Sequence, residues 1–73
     1  MKLMFRMKLR EVLERKGISQ KELAEATGLR EATISELVND SRSAYNKKHI
    51  LAIMEALKIE DLNEILEVIK ISG

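Results

Sequence analysis

Cysteine, proline and tryptophan are absent from this 73-residue sequence, and phenylalanine, tyrosine and histidine occur once each. Without cysteine there is no disulfide framework, no thiolate zinc site and no thiol nucleophile. A single imidazole, His49, gives zinc chemistry too few nitrogen ligands, so no metal and no cofactor is expected. No apolar run approaches the roughly 20 residues that span a bilayer. Nor does a basic stretch lead into an apolar segment with a small-residue cleavage site, so no membrane association and a cytoplasmic location are expected. The length excludes two domains, because a chain this small buries only about 60% of its unfolded surface. It also leaves little material to wall off a substrate pocket, and no base stands near Ser19 to make it a nucleophile. An enzyme is not expected.

What remains is a folding composition, 45% apolar and 34% charged. The net charge of +1 hides an asymmetry. Residues 1–50 carry eleven Lys or Arg against seven acids, a net +4, whereas residues 51–73 carry two against five, a net −3. Basic charge gathered on one part of a chain favours an anionic partner there, although a solvated surface reads the same way.

Helical spacing places most of the elements. Leu9, Val12 and Leu13 define one face of a helix over about residues 8–16, stopped by Gly17 after Arg15 and Lys16. Ser19 and Glu22 have the spacing of a capping box, so a second helix starts at Gln20 and ends at Gly28. Ile34, Leu37 and Val38 give a third helix over 30–38, followed by a polar loop from Asn39 to Ser43. Ile50, Ile53, Met54 and Leu57 give a fourth, with Asn46 as its cap. Asp61 and Glu64 repeat the capping-box spacing and predict a short fifth helix carrying Leu62, Ile65 and Leu66. The expected fold is therefore all-α, a compact five-helix bundle forming one domain over 1–73 with its core at about 8–66. At the ends, Met1, Leu3, Phe5 and Met7 alternate with basic residues, and Val68, Ile69 and Ile71 are β-branched. Short paired terminal strands and frayed tails or extended helices fit that pattern equally.

Two short helices joined by a three-residue turn at a glycine form a helix-turn-helix unit. Its needs are a small residue at the helix crossing, Ala24; a glycine for the left-handed turn, Gly28; and apolar residues locking the second helix, Ile34 and Leu37. The stretch S-Q-K-E-L-A-E-A-T-G-L-R-E-A-T-I-S-E-L, with K-G-I-S before it and K-K-H-I-L-A-I-M-E-A-L-K-I after it, resembles the Cro and lambda-repressor type (XRE family) of helix-turn-helix proteins over residues 8–66.

The resemblance implies a compact lambda-repressor-like bundle that binds double-stranded DNA as a transcriptional regulator, commonly a repressor, with helix 30–38 in the major groove. With Ile34 turned inward at 100° per residue, Ala32 and Glu36 point outward and Thr33 and Ser35 flank them. Glu31 stands in the first turn, within reach of base edges, and the resemblance places Gln20 on a phosphate or base. Arg30, Asn39, Ser41, Arg42, Lys47 and Lys48 are expected to contact the DNA backbone. Two features depart from the family pattern. Arg30 occupies a position usually held by a capping Ser or Thr. Glu31 and Glu36 place carboxylates on the reading face, where they repel phosphate and match only the N4 donor of cytosine. Such a face fits either a cytosine reader or a protein-interaction module, an antirepressor or antitoxin-like adaptor with a regulatory protein partner. A homodimer on a two-fold operator is expected, joined through the apolar stretch 59–71, because one recognition helix covers too few base pairs. His49 reads as exposed or half-packed and the four methionines as gap-filling core or start-region residues, while Tyr45 fits a phosphate contact and packing under the loop equally.

Overall fold

The computed structural model describes residues 1–72. In chain order it runs β1 (Leu3–Met7), α1 (Leu9–Lys16), α2 (Gln20–Thr27), α3 (Glu31–Val38), α4 (Lys47–Leu57), a single 3-10 turn (Leu62–Glu64) and β2 (Leu66–Lys70). The caps explain the boundaries. Ser19 Oγ accepts from Glu22 N–H at 3.0 Å while the Glu22 carboxylate accepts from Ser19 N–H at 2.9 Å. That reciprocal pair holds the Glu22 carboxyl below its usual range, chiefly through the Ser19 backbone bond. Asn46 Oδ1 accepts from Lys48 and His49 N–H and starts α4 in the same manner. Gly17 and Gly28 end α1 and α2 with φ of 68° and 76°, the left-handed region where a side chain would be strained.

The five-helix, all-α expectation needs correction. Among the described residues there are four α-helices, and the predicted fifth is one 3-10 turn leading into a strand. Asp61 does cap, but onto Asn63, whose backbone N–H it accepts at 2.9 Å, and Ile65 has already left helical geometry. The β-branched residues that follow find a better partner in β1. The two strands pair antiparallel from Leu3 with Lys70 to Met7 with Leu66, which resolves the alternatives at the ends in favour of strands.

The core draws one face from each helix: Leu9, Val12 and Leu13; Leu23 and Ala24; Ile34, Leu37 and Val38; Ile50, Ile53 and Leu57. Met7 and Ile65 close it at the root of the strand ribbon. Arg6 Nε bonds Glu67 at 2.7 Å and Arg6 Nη1 bonds Glu11 at 3.0 Å, tying the ribbon to α1. The Arg6 bond also holds the Glu67 carboxyl below its usual range and raises the Arg6 guanidinium. These pairs are exposed and contribute little each. Beyond its root the ribbon is unsupported, giving extents of 41 × 21 × 20 Å and leaving Leu3, Phe5 and Val68 more than half exposed.

Candidate nucleic-acid interface

The crossing of α2 and α3 is built by small local devices. Gly28 N–H closes onto Ala24 O at 2.9 Å. Thr27 Oγ1 donates to Leu23 O at 2.8 Å and accepts from Leu29 N–H at 3.2 Å, so a threonine hydroxyl stitches both sides of the turn. Sequence reasoning passed over Thr27, although a hydroxyl residue beside a turn glycine is a usable signal. The chain then enters α3 through Arg30, whose extended backbone (φ −72°, ψ 148°) occupies the cap position without any side-chain cap bond. A guanidinium has no acceptor with which to cap, and Arg30 stands exposed.

Because Ile34, Leu37 and Val38 are buried, α3 is held by one face and presents the other. Arg30, Glu31 and Ala32 are exposed at its start, and Thr33 and Ser35 are half-buried beside them. Glu36 points outward with an accessible side chain, but it does not stand alone. The loop after α3 folds back so that Arg42 reaches the Glu36 carboxylate, with Nη2 at 2.9 Å and Nε at 3.0 Å from the same oxygen. This pair borders a depression of about 270 Å³ between α3 and the start of α4, with Thr33, Tyr45 and His49 around it. The acid that was expected to repel phosphate is charge-paired, and the cation that was expected to grip phosphate is the one that pairs it.

On the other side of α3, Asn39 joins Ser35 to α1. Its Oδ1 accepts from Arg10 Nη2 at 2.7 Å and its Nδ2 lies 3.4 Å from Ser35 Oγ. Arg10 and Gln20 border a second depression, of about 430 Å³, with Val38 at its base. The structure thus brings Arg10 to Asn39 and both to the flank on which Gln20 begins α2. Arg10 was legible only as part of a basic N-terminal stretch, since its partner is 29 residues away. Lys48 is exposed in the first turn of α4, whereas Lys47, next to it in sequence, borders a separate apolar groove.

A family model for Cro/C1-type helix-turn-helix DNA-binding domains matches residues 8–70. The chain belongs to this family. The match takes in α1 to α4, the 3-10 turn and β2, so the helix-turn-helix of α2 and α3 lies within the matched region. No curated protein and no solved structure matches the chain. No helix is long and apolar enough to cross a membrane, and no group of three or more metal-ligating side chains occurs among the described residues.

Proposed function

We propose that this Cro/C1-type domain represses transcription by binding a two-fold DNA site as a homodimer, with α3 lying in the major groove. The observation that carries this reading is the mounting of α3. Three apolar side chains fix it from beneath, while its first turn stands clear at Arg30, Glu31 and Ala32. The N-terminal residues of a recognition helix are those that meet base edges. Ala32, Thr33 and Ser35 are small enough to let the helix approach closely, and Glu31 is the free carboxylate, suited to a cytosine N4 donor. Arg30, Gln20, Lys48 and the Arg10–Asn39 pair supply backbone contacts around it. Occupying promoter DNA excludes polymerase without any additional contact surface, so repression is the regulatory outcome that demands least of this architecture.

The pairing of Glu36 with Arg42 favours DNA over the protein-adaptor reading. It reduces the acidic face of α3 to one unpaired carboxylate, Glu31, next to Arg30.

Selection from a random duplex library, followed by affinity measurements at several salt concentrations, tests the proposal. A two-fold site should be enriched. Replacing Arg30 and Lys48 by Ala should lower affinity on all sequences alike and flatten the slope of log affinity against log salt by about 0.9 per lost phosphate contact. Absence of enrichment at any salt would overturn the reading.

A further inference from the structure

An apolar groove of about 630 Å³ runs beside α4, on a part of the surface that the DNA-binding reading does not use. Ile50 and Met54 of α4 and Leu66 of β2 line it, and Phe5, Leu51 and Leu62 stand at it as exposed knobs, 56%, 59% and 47% accessible. Strand alternation extends the patch. Leu3, Phe5, Leu66 and Val68 share one face of the ribbon, because Phe5 pairs with Val68 and Met7 with Leu66. Apolar side chains gathered on adjoining surface, rather than scattered singly, are what a contact site presents.

The charges at the groove say what covers it. Lys47 borders it at the first residue of α4, and Glu60 borders it just past the last, so the two lie at opposite ends of a helix about 16 Å long. A second copy of the chain laid antiparallel across α4 brings each Lys47 to the other copy's Glu60, twice, as an isologous two-fold contact requires. The same operation offers the knobs of each copy to the floor of the other. A standard interface takes about 800 Å² from each partner, roughly 15% of the 5265 Å² that the chain exposes. The groove and the ribbon face together offer five large exposed apolar side chains toward that area, Leu3, Phe5, Leu51, Leu62 and Val68.

We infer that this groove is a homodimer interface, closed by a second copy whose Lys47 and Glu60 pair reciprocally with the first. The inference rests on the dimeric part of the proposed function and moves the contact from the tail 59–71 to a composite of β1, α4 and residues 60–68. Ile65, expected to serve in the tail interface, is 1% exposed and belongs to the core. Lys47 accordingly becomes a dimer contact in place of a phosphate contact.

Sedimentation of the full chain without DNA, over a range of concentrations, reads the inference directly. The wild type should dimerise. Lys47→Glu and Glu60→Lys should each weaken dimerisation about tenfold or more, because each sets like charges together twice. An equimolar mixture of the two variants should recover it, since their charges are complementary across the two-fold. Leu51→Glu, at an exposed position that leaves the core intact, should give a monomer with unchanged helical content. A wild type that stays monomeric at the highest concentration overturns the inference, as does a dimer that survives all three substitutions. So does a chain that is monomeric alone and uses the groove for a different protein. A wild-type monomer that still selects a DNA sequence would remove the interface and leave the DNA reading standing, and a dimer that selects no sequence would do the reverse.

Discussion

Asp40 accepts the phenolic hydrogen of Tyr45 on Oδ1 at 2.6 Å. Its other oxygen, Oδ2, accepts Met7 N–H from the outer edge of β1 at 3.2 Å. Asp40 follows α3 by two residues and has a left-handed backbone, φ 52°. One carboxylate therefore fastens the loop after the recognition helix to both the strand ribbon and the start of the α4 segment. Burial of the tyrosine, then the Asp40 hydrogen bond and charge, push the Tyr45 hydroxyl up to about 12.

Tyr45→Phe should cost about 1 kcal/mol in chemical denaturation, the net worth of a hydrogen bond to a charged acceptor that is partly exposed. The alkaline limb of the stability profile should change with it. The folded-state value lies above the ordinary value of about 10, so the stabilisation is complete below pH 10 and is lost as pH rises from there through about 12. A phenylalanine variant whose stability falls as steeply as wild type between pH 10 and 12 would show that Tyr45 is not the group concerned.

Arg30→Ser should stabilise the protein and weaken its hold on DNA. The cap position of α3 has the extended backbone that a serine needs, yet carries no side-chain cap bond. Supplying one should raise stability by about 1 kcal/mol, read as a higher unfolding midpoint. Loss of the cation should lower the salt slope by about 0.9. Stability and affinity moving in the same direction would refute the assignment of Arg30 to phosphate.

The Glu36–Arg42 pair predicts opposite effects on DNA binding from its two halves. Arg42→Ala should weaken DNA binding, because it uncovers the Glu36 carboxylate beside α3. Glu36→Gln should strengthen non-specific binding and steepen the salt slope by about 0.9, since it releases Arg42. The double variant should bind better than Arg42→Ala alone. A double variant that binds as weakly as Arg42→Ala alone would mean that the Glu36 carboxylate is not felt at the interface.

Glu31→Gln should change which base is preferred at one position of each half-site, with about 1 to 3 kcal/mol of discrimination redistributed. The corresponding change at Glu36 should leave base preference unaltered. Sequence selection with both variants distinguishes them, and a shift caused by Glu36 would reverse their roles.

Most of the helical part was legible because its signals are local. Ser19 with Glu22, Asn46, Gly17 and Gly28 act within a few residues of where they stand, and they set the end of α1, both ends of α2 and the start of α4. The spacing of Ala24, Gly28, Ile34 and Leu37 likewise marked the helix-turn-helix unit. What sequence reading mistook depends on distant partners. Asp61 and Glu64 spell a helix start, but Leu66 to Lys70 are claimed by Leu3 to Met7 at the opposite end of the sequence. Nothing local reports that competition. At the candidate interface, projecting α3 as an isolated cylinder placed Glu36 outward but without a partner. It omitted the loop that returns Arg42 to it and the reach of Arg10 across to Asn39.

The pairing of Leu3 with Lys70 also has a kinetic side. Helices α1 to α4 assemble from contacts near in sequence, which form early, whereas the ribbon closes a loop of almost the whole chain and bears the full entropic cost of closure. Its strands are too short to be stable by themselves and must add to a helical core already formed. Folding should therefore end with the ribbon and unfolding begin with it. The amide hydrogens of β1 and β2 should exchange with solvent faster than those of Leu23, Ile34 and Ile53. Any contact that pins the ribbon would slow the opening of the entire domain.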